Sequence, residues 1–84
     1  MRDPLDKNVR AEVIRRDKGK CQFPGCKRRG REIHHILKYS THALYRNEPR
    51  NLILLCHKCH KLVTKKEIYY MQMFLDIVRQ KYDR

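Results

Sequence analysis

Apolar residues fall along this chain in short groups, separated by basic and polar stretches. The first group is sparse. Val9, Val13 and Ile14 form one stripe at helical spacing, with Arg10, Arg15 and Arg16 largely off it. Asp3-Pro4 and Asp6 carry helix-start signals and Gly19 stops the run, so a helix is predicted over 7–17. Two denser groups follow. Ile33-His34-His35-Ile36-Leu37 and Leu52-Ile53-Leu54-Leu55 are bounded by turn signals and read as strands. Residues 39–50 between them are polar and mixed, with Pro49 near the end, and read as a loop with little regular structure. Residues 60–65 can start a short helix. From Glu67 to Lys81 apolar residues recur at 68, 71, 74, 75, 78 and 82, a helical spacing with one buried face. The stripe of Ile68, Met71, Leu75 and Val78 reads as core, and Tyr69, Tyr70 and Tyr82 leave room for a dimer contact. The order is helix, strand, strand, helix, helix: a small α+β domain without repeats or low-complexity tracts.

Such elements bury little. The 84 residues make one domain, in which the core alone is a marginal stabiliser. A disulfide, a metal or a partner is therefore expected as a staple. Multidomain enzymes, barrels and dinucleotide-binding sheets are excluded by length. No apolar run approaches the roughly 18 residues of a membrane span, and no secretory signal is seen, so a cytoplasmic, reducing compartment is expected. Charge changes the picture further. Lys and Arg number 21 against 9 Asp and Glu, a net +12, and such a domain repels itself unless something acidic binds it. Nucleic acid is the expected partner.

The cysteines choose the staple. Cys21 and Cys26 are separated by four residues that include the turn Pro24-Gly25; Cys56 and Cys59 are separated by two. Two close pairs in a reducing compartment read as a tetrahedral thiolate site for structural zinc. A disulfide framework would require export. Cys56-His57-Lys58-Cys59-His60 also matches a c-type haem attachment pattern, with Met71 and Met73 as candidate axial ligands, but haem would leave Cys21 and Cys26 unexplained. A two-Cys, two-His finger fails on spacing, because His34 follows Cys26 by eight positions and His35 is adjacent to it.

Five histidines are a high count for this length. Adjacent His34 and His35 on a strand point to opposite faces, which suits a metal ligand beside a free base. The order Cys pair, His-His, Asn, Cys pair, His resembles the HNH endonucleases of the ββα-metal (His-Me finger) class, in the phage and bacterial subgroup with an added four-cysteine zinc site. Glu32-Ile33-His34-His35-Ile36, Asn51-Leu52-Ile53-Leu54-Leu55-Cys56 and Cys59-His60 carry the resemblance. It runs from about Arg10 to Lys65, and Arg10, Val13, Arg16, Asp17 and Cys21 look like the lead-in of zinc-bearing members.

The resemblance implies one nuclease domain over 1–84, with a ββα-metal core at about 21–66 between flanking helices. It makes His34 and His60 ligands of the catalytic divalent metal, His35 the general base, and Asn51 the brace of the inter-strand loop that helps orient the base. Glu32 becomes a partner that orients a ligand or an arginine. Thr64, one turn beyond His60, stands where some members place a third ligand, and is a poor one. Mg, Mn, Ni, Co or Zn can serve as the catalytic ion, and an imidazole at position 34 favours the softer ones. The activity implied is hydrolysis of DNA, double-stranded, to 5′-phosphate and 3′-hydroxyl ends. The alternative is a zinc-stabilised nucleic-acid-binding module without catalysis. Arg28, Arg29, Arg31, Lys38, Arg46 and Arg50 flank the site in sequence and are the candidate phosphate contacts. A monomer would nick and a homodimer could cut both strands; specificity is expected to be weak or supplied by a partner protein. His42 and His57 read as surface imidazoles, with DNA contact open to His57.

Overall fold

The computed structural model describes residues 5–38 and 43–83. Its centre is an antiparallel pair of strands, β1 (Glu32–His35) and β2 (Leu52–Leu55). The register is Glu32↔Leu55, Ile33↔Leu54, His34↔Ile53 and His35↔Leu52. Helix α1 (Lys7–Arg16) precedes the pair; α2 (His57–Thr64) and α3 (Glu67–Tyr82) follow it. The predicted order is thus observed.

The boundaries shift for identifiable reasons. Helix α1 begins where Asp6 accepts from the N–H groups of Asn8 and Val9, an N-cap; Asp3-Pro4 lies outside the described residues. It ends at Arg16. Lys18 N–H donates to the Arg15 carbonyl and Gly19 N–H to the Ile14 carbonyl, with both residues at positive φ, 58° and 68°. This is a Schellman turn in which Lys18 shares the left-handed geometry expected of Gly19. Strand β1 ends at His35; the next pairing, Ile36 N–H to the Asn51 carbonyl, meets the 3-10 turn Pro49–Asn51 instead of a strand. Helix α2 starts three residues earlier than its sequence suggests. Cys56 is its N-cap, with the sulfur accepting from Cys59 N–H, so the cysteine pair forms the first turn itself. The inter-strand stretch holds two single 3-10 turns, Ala43–Tyr45 and Pro49–Asn51, where an irregular loop was expected.

Strand β2 is covered on both faces, which is why it reads as an uninterrupted apolar run. Ile53 and Leu55 pack with Ile36, Val63, Phe74 and Val78 of the α2/α3 layer. Leu52 and Leu54 pack with Val13 and the partly buried Val9 and Ile33 on the α1 side. Gly30 crosses this second layer so closely that a Cβ there would collide with the Leu54 side chain. Two residues leave their predicted stripes. Ile14 is 36% exposed, because Val9 and Val13 already cover the narrow sheet. Ile68 is 84% exposed, in the first turn of α3 ahead of the buried Phe74 and Val78.

Arg16 is not off the packed face. Its guanidinium holds Asp17 through two bonds of 2.8 and 2.9 Å and donates to the carbonyls of Pro49 and Leu52. Asp17 accepts from Leu54 N–H and lies 3.4 Å from Lys81 Nζ. One buried carboxylate therefore ties α1 to β2 and to the end of α3.

Candidate functional site

The two cysteine pairs meet. The turn at Pro24-Gly25 brings Cys21 and Cys26 to the first turn of α2, and the four sulfurs lie within 4.8 Å of one another. Cys26 and Cys56 Sγ are 3.9 Å apart. Sulfurs about 2.3 Å from a tetrahedral ion would be separated by a similar distance, so the donor set fits a metal. The cysteines are free thiols. Burial opposes ionisation of Cys56, but the Cys59 N–H and the neighbouring thiols donate to its sulfur and bring it down to about 7. Burial and the adjacent sulfurs push Cys59 up. A bound cation would relieve that conflict.

Glu32 and His34 alternate onto the face of β1 that meets α2. His34 is 4% exposed, with its ring 5.3 Å from His60 and 5.8 Å from Phe74. It makes no hydrogen bond among the described residues. Among the described residues no buried side-chain nitrogen lacks both a partner and solvent contact, so a ring nitrogen of His34 remains accessible. Burial first, then the neighbouring His60 and His35, pulls it down to about 4, which keeps the imidazole neutral and able to ligate. His60 closes the first turn of α2 through its N–H to the Cys56 carbonyl. Its Nδ1 is 2.5 Å from Glu32 Oε1. The two histidine bonds, with His57 first and His60 second, hold Glu32 below the usual carboxylate range. An ionised carboxylate only accepts, so His60 Nδ1 carries the hydrogen, and in the neutral ring this leaves the lone pair on Nε2. His34 and His60 thus offer two nitrogen donors; the cysteine set is the only group of three or more such residues among those described.

His57 is exposed, as expected of a surface imidazole, and it also donates from Nδ1 to Glu32 Oε2 at 2.7 Å, so one carboxylate holds both histidines of α2. The signal was present in the sequence: 57 and 60 are three apart, hence neighbours once the helix is seen to start at Cys56. His42 lies outside the described residues.

His35 takes the opposite face. Its Nε2 donates to the Arg46 carbonyl at 3.0 Å, since a carbonyl only accepts. The lone pair is therefore on Nδ1. Burial lowers its pKa; the Arg46 carbonyl raises it, and the Arg46 guanidinium and His60 lower it further. The Asn51 side chain accepts from Leu37 N–H at 2.8 Å and donates to the carbonyls of Leu37 and Tyr45 at 3.0 and 3.3 Å. It thereby ties Leu37 to Tyr45, the residue next to Arg46.

The basic candidates divide into separate groups. Arg28, Arg29 and Arg31 line a cleft of about 420 Å³ with Cys56, His57 and Lys58. They form no ion pair among the described residues. Lys38 pairs with Glu67 at 3.5 Å on the other side of α2. Arg46 presents its carbonyl to His35. Arg50 lies over the Tyr82 ring at 4.8 Å, at the end of α3 rather than with the arginine cleft. Thr64 is exposed and donates its hydroxyl back to the Lys61 carbonyl.

Two antiparallel strands followed by a helix, with histidines on the strand and on the helix's first turn and four cysteines at its base, define a ββα-metal domain. The family model for HNH endonuclease matches residues 19–66, more than half of the chain, and the protein belongs to that family. No curated protein and no solved structure matches the chain. HNH membership carries a nuclease-type, nucleic-acid-related function. Among the described residues no helix is long and apolar enough to cross a membrane.

Proposed function

We propose that this protein is a metal-dependent DNA endonuclease. The observation that carries the reading is the pair of histidines on opposite faces of β1: His34 buried, neutral and unbonded against His60, and His35 held through Nε2 at the Arg46 carbonyl. Cys21, Cys26, Cys56 and Cys59 hold a structural zinc, which anchors the first turn of α2 and with it His60. His34 and His60 hold the catalytic divalent ion, and Glu32 fixes the His60 ring. That ion, when bound, supplies charge relief at the phosphate and at the departing 3′ oxygen. His35 Nδ1 accepts a proton from the attacking water as its oxygen bonds to phosphorus; the P–O3′ bond breaks and the departing O3′ takes a proton from solvent, leaving a 5′-phosphate and a 3′-hydroxyl. Asn51 keeps Arg46, and so His35, in place. Arg28, Arg29 and Arg31 bind backbone phosphates of a duplex. Two imidazole donors favour Mn, Ni, Co or Zn over Mg. The setting is the cytoplasm of a bacterial or phage-infected cell, as monomer or homodimer, with a partner protein setting specificity.

The test is incubation of the protein with supercoiled plasmid in EDTA or in Mg, Mn, Ni, Co or Zn, beside His35→Ala. Nicked or linear DNA that requires metal and disappears in the variant, with gel-shift binding retained, is expected. No cleavage with any ion from folded protein that still shifts DNA would replace the reading with a zinc-stabilised binding module.

A further inference from the structure

An open groove of about 540 Å³ lies between the chain just after β1 and the turn joining α2 to α3. Ile36, Lys38, Thr64, Lys65, Lys66 and Tyr69 are among its lining. Ile68 and Tyr69, adjacent on its rim, are 84% and 77% exposed. Two neighbouring large apolar side chains left bare beside a groove mark a binding surface more often than a random patch does. The Tyr69 ring stands edge-on to Tyr70, with centroids 5.0 Å apart and planes at 88°, and is otherwise open to solvent.

Charge selects the occupant. Lys65 and Lys66 are exposed and form no ion pair among the described residues. The groove's carboxylate, Glu67, is paired with Lys38. A second copy of this chain would bring another +12 to a basic surface, which opposes self-association there. A polyanion has the matching sign. Position selects further. Ile36 directly follows His35, and Thr64 is one turn beyond His60 on α2, so the groove begins next to the histidines along both elements. Exposed tyrosine beside lysines is the chemistry that seats unpaired nucleotides, with bases stacked on the ring and phosphates on the ammonium groups.

We propose that this groove is a second DNA subsite, which holds an unpaired stretch of the strand passing through the nuclease site. It rests on the endonuclease reading and adds the form of the substrate: DNA opened beside the cut, as in a gap or flap. Bases of the unpaired stretch stack on Tyr69 beside Ile68, and Lys65 and Lys66 meet the adjoining phosphates.

The chain contains no tryptophan, so Tyr69→Trp introduces a single reporter. In full-length, metal-loaded protein carrying His35→Ala, a thymidine strand of about twelve nucleotides should quench its emission saturably. Tyr69→Ala and the pair Lys65→Ala/Lys66→Ala should each weaken binding of that strand about tenfold. Binding of intact duplex should change much less, and in the active protein gapped duplex should be cut faster than continuous duplex. All of these residues are surface groups, and circular dichroism checks that the variants fold. Unquenched emission with unchanged single-strand affinity, in protein that binds and cuts duplex, would overturn the groove and leave the nuclease standing. A wild-type dimer in sedimentation that Tyr69→Ala dissociates, with DNA affinity unchanged, would give the groove to a second copy. Failure to bind or cut any DNA would overturn both readings.

Discussion

His34 and His35 are neighbours in the chain and occupy opposite environments. Alternation along β1 sends His34 toward α2 and α3 and His35 toward the Arg46 carbonyl. Two predictions belong at this scale. The first concerns His35 as base, which works only when neutral. Burial lowers its folded pKa, so the neutral form persists below the ordinary histidine value. Cleavage at saturating metal should therefore rise with pH along a limb that lies below about 6.5 and then level off. Single-turnover rates across about pH 4.5 to 8 check this; a limb centred above 6.5 would contradict the buried base. The second concerns Glu32. Removing the carboxylate frees the rings of both His57 and His60, and partners of metal-bound histidines typically matter 10–100-fold. Glu32→Ala should weaken binding of Mn or Ni to the histidine site by about that factor, by isothermal titration, while the four-cysteine metal stays bound.

At the scale of elements, the buried Asp17 decides how α1 sits. Its side chain is fully buried among the Arg16 guanidinium, the Leu54 N–H and Lys81. Asp17→Ala leaves the buried Leu54 N–H without its acceptor and the Arg16 guanidinium without its counter-ion. That class of change costs about 3–5 kcal/mol, a large share of the stability of a small domain, and a urea melt would show it as a lower midpoint. Arg50→Ala, which loses a partly exposed contact with Tyr82, should cost about 1 kcal/mol or less. How far such elements could be read from the sequence follows their physics. Strand β2 was legible over its full length because both faces are apolar. Helix α3 was legible because Phe74 and Val78 repeat at helical spacing, yet Ile68 sits on the same stripe and is bare. Periodicity says which positions share a face, not where that face loses its cover. The start of α2 was hidden because Cys56 caps the helix with sulfur, and a cysteine pair does not read as a helix start. The meeting of the four cysteines was legible from spacing, and that of His34 with His60 from the resemblance to the HNH endonucleases. The Glu32 bridge to His57 and the Arg16–Asp17 anchor were not, since both depend on side-chain directions set by tertiary packing.

At the scale of the whole molecule, a small core and a large positive charge set two dependences. The core divides into two layers around one short strand, and the α2/α3 layer includes Cys21 and Cys56. Stripping the four-cysteine metal with a strong chelator should therefore abolish the cooperative thermal transition, whereas removing the ion at the histidines should shift it only slightly. On the proposed function, the net charge of +12 should make DNA affinity steeply salt-dependent, and the arrangement of that charge says which residues should carry the slope. Each phosphate contact contributes about 0.9 to the slope of log affinity against log salt. Arg28, Arg29 and Arg31 line one cleft beside α2 and form no ion pair within the described residues, so their charges are available to phosphates. Arg50 is packed on Tyr82 at the far end of α3. Fluorescence anisotropy with duplex DNA and His35→Ala protein, over about 50 to 300 mM salt, separates the two groups. The triple change of Arg28, Arg29 and Arg31 to Ala should reduce the slope by about 2.7, and Arg50→Ala should leave it unchanged. An unchanged slope in the triple variant would mean that the cleft faces away from the duplex, and that the phosphates are met by the lysines of α2 and the α2–α3 turn.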